Sequence, residues 1–204
     1  MGRWAGKPWP IWDGISDVIT LPRLPTGEFA VAMSWYKVPA DDVDPRRWRN
    51  TPDGERVSVG KYWAKSPDAM AQAGRALTRR LLAVTARHPI LAASDVVVAV
   101  PGHDRARLSF GERLAASVAS GLHVPLIKVA TRREFRPPAK DLPATGDTAL
   151  GEEFTITDNL AGMRALIVDD VFRSGRTMSA VANAVREAGV ARVCGLAAVR
   201  TMRS

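Results

Sequence analysis

The sequence contains a single cysteine, Cys194, in 204 residues, which excludes an intrachain disulfide framework and a cysteine-based zinc site. It has no long apolar run. The longest clean one, Val96 to Val100, falls far short of the roughly 20 residues that a membrane-spanning helix needs. The N-terminus has no continuous apolar stretch after its basic residues, only Trp4, Trp9 and Trp12 among early prolines and glycines, so it does not read as a signal peptide. The expectation is a cytoplasmic protein that does not associate with membranes. Acidic residues are few against basic ones: 21 Asp plus Glu face 29 Lys plus Arg, 23 of them Arg, for a net charge of +8. What is present is ordinary globular composition, 46% hydrophobic and 25% charged, which excludes wholesale disorder and suits one domain with a small appendage. The basic excess predicts an anionic partner: nucleic acid, an acidic surface or a phosphorylated small molecule.

Residues 1–65 differ from the rest. They hold all six Trp and both Tyr. Within them, residues 28–38 (EFAVAMSWYKV) and 56–63 (RVSVGKYW) are rich in β-branched and aromatic residues and predict strands, separated by a turn-rich charged stretch. The expected organisation is a β-rich N-terminal appendage or hood over 1–65 and an α/β domain over 66–204. Ser66-Pro67-Asp68 predicts a helix start, with the helix running to about Arg87. Residues 95–100 (DVVVAV) read as a strand buried on both faces, Ser109 and Glu112 as a capping box opening a helix to about Ser120, and 124–129 as a further strand. Residues 130–150 have no periodicity and hold three prolines, a loop long enough to suggest a functional lid. After it come a strand at 165–171, a helix at 177–188 with Met178, Val181, Ala182 and Val185 on one face, a stop at Gly189 and a strand at 191–199 that buries Cys194. The alternation predicts a mostly parallel sheet with helices on both faces.

The chemistry concentrates in residues 165–177, ALIVDDVFRSGRT. Four apolar strand residues end in two adjacent carboxylates, Asp169 and Asp170, and a short polar loop then feeds a helix. Ligands of open α/β sheets bind beyond the carboxyl ends of the strands, and a helix N-terminus favours an anion. Gly175 allows close backbone approach, and Ser174 and Thr177 offer hydroxyls. A phosphate cradle beside two acids fits a ligand that also presents hydroxyls or a divalent metal, such as a sugar phosphate.

This segment resembles the phosphoribosyl pyrophosphate (PRPP) signature of type I phosphoribosyltransferases: four apolar residues, two acids, two apolar residues, then a Thr/Ser-Gly-x-Thr loop. The match covers 13 contiguous residues, with Phe172 in place of an aliphatic residue and Arg173 in place of a small residue or Thr. The Arg-rich text before PPAKDLPA, and RSGRTM after the acids, look most like the competence-protein type of these enzymes, over residues from about 90 onward and without the cysteine zinc ribbon that type often carries.

The resemblance implies a type I phosphoribosyltransferase-like α/β fold and a Mg²⁺-dependent transfer of phosphoribosyl from PRPP to a nitrogenous small-molecule acceptor, through a transition state of oxocarbenium character, with release of pyrophosphate. Asp169 and Asp170 would meet the ribose hydroxyls, and the metal either directly or through those hydroxyls or water. Arg173, Ser174, Gly175, Arg176 and Thr177 would wrap the 5′-phosphate. Gly102, His103 and Arg105, after the strand at 95–100, fall at the pyrophosphate loop. Arg132 and Arg133 fall in the catalytic loop, among five cations and one acid in residues 128–140. A homodimer is implied as well. The contrasting reading is a non-catalytic PRPP-binding regulator. Nucleic acid is the less favoured partner, and a role for it would lie in the Trp-rich N-terminal residues.

Overall fold

A computed structural model of the chain describes residues 18–22, 29–41, 43–63, 66–104, 106–132 and 153–202. Its strands are β1 (Ile19–Thr20), β2 (Phe29–Trp35), β3 (Val96–Ala99), β4 (Leu126–Ile127), β5 (Ala130–Thr131), β6 (Phe154–Thr155), β7 (Arg164–Phe172) and β8 (Arg192–Arg200). Its α-helices are α1 (Pro52–Ser58), α2 (Pro67–Arg87), α3 (Pro89–Ala92), α4 (Phe110–Leu122) and α5 (Arg176–Glu187), with a π-helical turn at Val59–Trp63. None of the described helices is long and apolar enough to cross a membrane.

Six strands form one sheet in the order β1-β2-β8-β7-β3-β4. The pairs β2–β8, β8–β7, β7–β3 and β3–β4 are parallel, and only β1 runs antiparallel to its neighbour. Alternating side chains send the central strands into two cores. Ala165 and Ile167 of β7 and Val96 and Val98 of β3 pack with Met178, Val181 and Val185 of α5. Leu166, Val168, Val97 and Ala99 pack on the other face with Val57 of α1, Leu77 and Leu81 of α2 and Leu114 and Val118 of α4. This is the α/β architecture with helices on both faces that the alternation predicts. Cys194 lies in the second core, 2% exposed, where burial raises its thiol pKa.

The helix starts follow their caps. Ser66 Oγ accepts the Ala69 N–H at 3.2 Å to open α2. Ser109 Oγ accepts the Glu112 N–H at 3.1 Å while Glu112 Oε2 accepts the Ser109 N–H at 2.8 Å, the complete capping box of α4.

One sequence expectation is corrected. Residues 56–63 are not a strand: they form the end of α1 and the π-helical turn. The start signal lies upstream, in Thr51-Pro52-Asp53. Thr51 Oγ1 accepts the Gly54 N–H at 2.9 Å, Pro52 takes the first turn, and the buried Asp53 carboxylate is held by Arg56 of the same helix and Arg80 of α2, both at 2.9 Å. Capping and this tertiary anchor outweigh the β-propensity of Val57, Val59, Tyr62 and Trp63. The strand expected at 28–38 is present as β2, and it joins the main sheet beside β8.

Candidate active site

The connection from β3 runs through α4 to β4, at one side of the sheet, and that from β7 runs through α5 to β8, at the other. The connections thus diverge between β3 and β7, and it is at the carboxyl ends of the strands at such a switch point that open α/β sheets bind ligands. Residues 100–104 follow β3 at this end, and residues 173–175 follow β7.

Asp169 and Asp170 stand near the end of β7. β7 keeps one register against β8 along its whole length, Asp169 opposite Ala197 and Val171 opposite Val199, and Val171 packs with the α2–α4 core. Both carboxyl groups lie close to Gly111 in the first turn of α4. A β-carbon on Gly111 would lie 3.5 Å from Asp169 Oδ1 and 3.6 Å from Asp170 Cγ, ordinary contact distances that place both acids directly beside this turn. Asp169 Oδ1 accepts the Asp170 N–H at 2.8 Å. Asp170 is only 4% exposed, and its Oδ1 receives Lys61 Nζ at 2.9 Å. Burial first, and the Asp170 charge second, raise the Asp169 carboxyl well above the ordinary carboxylate range, against the opposing pull of Lys61.

The loop after the acids leads directly into α5. Gly175 adopts φ +79° at the N-cap of α5 and makes no side-chain cap. Gly175 thus brings no capping side chain to the start of α5, next to the Ser174 and Thr177 hydroxyls. Phe172 is buried beneath this loop, which accounts for an aromatic residue at that position. Arg173 is exposed, and Ser174, Arg176 and Thr177 are half-buried.

The other predicted residues are placed less completely. Gly102 follows β3 as expected, but its N–H points to Glu112 Oε2 at 3.4 Å, so the capping carboxylate of α4 also draws this loop in. His103 is exposed on the same loop, and Arg105 lies outside the described residues. The Arg132 N–H donates to Glu153 O at 3.0 Å, next to the antiparallel pair β5–β6, which brings the two ends of the long segment together. Arg133 and the body of the expected lid, 133–152, lie outside the described residues, as do Trp4, Trp9 and Trp12. Two of the remaining tryptophans have structural partners. The Trp48 indole donates to Ala40 O and Val43 O, and the Trp35 ring lies 5.2 Å from the Arg200 guanidinium.

Sequence reasoning missed Lys61, because a strand assignment gave it no reason to approach residue 170. The Thr-Pro-Asp helix start ten residues upstream signals a helical segment here, but the pairing of Lys61 with Asp170 across 109 positions carries no local signal. Sequence reasoning also missed Thr201. Its N–H donates to Phe172 O at 3.0 Å, and its buried Oγ1 has no partner among the described residues.

A divalent cation fits this donor set only with help. Among the described residues no group of three or more His, Cys, Asp or Glu side chains converges. Two carboxylates completed by oxygens of a phosphorylated sugar match the way Mg²⁺ is commonly held, by one or two acids plus substrate oxygens.

A sequence model of the phosphoribosyl transferase domain matches residues 74–202, well over half of the chain. No curated protein matches it in sequence. Among solved structures, a purine phosphoribosyltransferase from Pyrococcus horikoshii is 18% identical with TM-score 0.42, covering 62% of this chain and 83% of its own. An adenine phosphoribosyltransferase from Thermoanaerobacter pseudethanolicus is 18% identical with TM-score 0.44, covering 65% and 82%. The Saccharomyces cerevisiae adenine phosphoribosyltransferase is 15% identical with TM-score 0.43, covering 91% and 84%.

Proposed function

The chain belongs to the phosphoribosyl transferase family, and from that premise we propose that it transfers the phosphoribosyl group of PRPP to a nitrogenous small-molecule acceptor, with Mg²⁺ and with release of pyrophosphate. The observation that carries this reading is a pair of adjacent carboxylates near the end of β7, followed within a few residues by the glycine-capped start of α5, at the point between β3 and β7 where the crossover connections diverge.

In this reading Asp169 and Asp170 accept hydrogen bonds from the ribose hydroxyls and fix the sugar. The amides of Arg176 and Thr177, the Ser174 and Thr177 hydroxyls and the Arg173 guanidinium hold the 5′-phosphate. The bond from ribose C1 to the pyrophosphate oxygen breaks, a bond from C1 to the acceptor nitrogen forms, and the nitrogen loses a proton to water. Mg²⁺, held by the acids directly or through the hydroxyls, would stabilise negative charge on the departing pyrophosphate. Gly102, His103 and Arg105 are assigned to that pyrophosphate, as are Arg132 and Arg133 from the long segment. Residues 1–65, of which β1, β2 and α1 join the sheet and core of the 66–204 catalytic domain, are assigned as the segment that supplies the hood over the acceptor. The protein's contribution is position and charge, so a covalent nucleophile is not required. A cytoplasmic homodimer is proposed on the family resemblance.

The test supplies PRPP and Mg²⁺ with purines, pyrimidines and small amines in turn and follows pyrophosphate. Release that depends on one acceptor supports the transferase. Binding of PRPP without release for any acceptor would replace it with the regulator reading.

A further inference from the structure

The ion pair between Lys61 and Asp170 spans 109 positions of sequence and is built from several elements. Lys61 sits on the π-helical turn after α1. The residue before it, Gly60, is pressed against the Phe110 ring at the start of α4, where any β-carbon would collide. Phe110 precedes Gly111, which lies beside both acids. The close approach at Gly60 is thus what lets the lysine reach β7. The nearby cations Arg56 and Arg80 are committed to Asp53. Among the described residues no other cation lies within ion-pair distance of Asp169 or Asp170. With Asp170 nearly inaccessible to water, a charge at 2.9 Å acts through a medium of low polarity and is felt far more than a surface pair would be.

We propose that Lys61 is a positioning residue of the transfer site: its ammonium fixes the Asp170 carboxylate and keeps the acid pair from taking up a divalent cation alone, so that the metal enters only together with the phosphorylated sugar. This rests on the phosphoribosyl-transfer reading. The sugar phosphate brings the negative charge and the additional oxygens that two acids, already neutralised in part by a lysine, do not supply. Removing the lysine takes away the one counter-charge that the described residues place on the two acids, which makes them a better site for a bare divalent ion.

The experiment titrates the full-length protein with Mn²⁺ alone and reads free Mn²⁺ by electron paramagnetic resonance. Lys61→Met is expected to bind Mn²⁺ at least about tenfold more tightly than the wild type. Lys61→Arg, which keeps the charge, should match the wild type, and adding Asp170→Asn to Lys61→Met should remove the gain. If the methionine variant fails to fold, Lys61→Gln makes the same comparison. Equal Mn²⁺ affinity in the wild type and the neutral variant overturns the proposal, because a merely structural lysine would not move this readout. A parallel titration of the wild type with PRPP and Mg²⁺ separates the two ideas. Loss of PRPP binding there overturns the transfer reading, whereas intact PRPP binding with no Mn²⁺ gain overturns only the role of Lys61.

Discussion

The ring of Phe172 fills the space beneath Gly175: a β-carbon on Gly175 would fall 2.6 Å from Phe172 Cζ. The same glycine holds φ at +79°, where a side chain is strained in any case. The loop before α5 is thus shaped by a close approach and a backbone conformation that reinforce each other. Gly175→Ala should destabilise the protein by about 1–3 kcal/mol in urea denaturation and weaken PRPP binding. Combining it with Phe172→Leu should cost less than the sum of the two single changes, since the smaller residue relieves part of the collision. Additive effects would show that the ring and the glycine are not coupled.

Asp53 ties the N-terminal helix to the main domain. Its carboxylate is 1% exposed and receives Arg56 and Arg80. Asp53→Ala strands two guanidinium groups that can still reach water, so the loss should be about 2 kcal/mol, below that of a fully buried pair. Equilibrium urea denaturation measures it, and a loss below about 0.5 kcal/mol would mean that the anchor is dispensable.

Asp95 and Arg164 join the start of β3 to the start of β7 through two side-chain contacts of 2.7 and 2.9 Å, with the Arg164 N–H adding a third at 2.9 Å. The Arg164 side chain, then its backbone N–H, lower the Asp95 pKa from 3.8 to about 2. The folded pKa lies below the ordinary one, so the stabilisation is present above about pH 4 and fades as pH falls through about 2. Both groups are exposed, so the effect is small and screened by salt. Asp95→Asn should therefore lower thermal stability slightly at pH 5 in low salt, and the difference should narrow toward pH 2. A difference that widens on acidification would contradict this sign.

α2, β3, α4, β7, α5 and β8 were legible because local signals agreed, whereas the short α3, β5 and β6 carried none. The helix at Pro67 had a capping serine, a proline and an acid, and β3 and β7 had short unbroken aliphatic runs. Asp169, Asp170 and the glycine loop were legible because the motif is local: thirteen consecutive residues hold strand, acids and loop. What could not be read depended on distant contacts. Nothing in RVSVGKYW says that Gly60 will lie on Phe110 or that Lys61 will meet Asp170. Local β-propensity pointed to a strand, whereas the Thr51 cap and the Arg80–Asp53 pair make the segment helical. The engagement of the Gly102 N–H by Glu112 was equally hidden, because a capping box in sequence does not show that its acid has a second donor.

The central claim is that Asp169 and Asp170, with the loop that follows, form a PRPP site. Calorimetric titration of PRPP with Mg²⁺ into the wild type and into Asp169→Asn/Asp170→Asn tests it directly, with circular dichroism to check that both proteins are folded. The account predicts saturable binding to the wild type and its loss, by at least about a hundredfold in affinity, in the folded double variant. A wild type that does not bind PRPP, or a double variant that binds it as tightly as the wild type, would contradict the account.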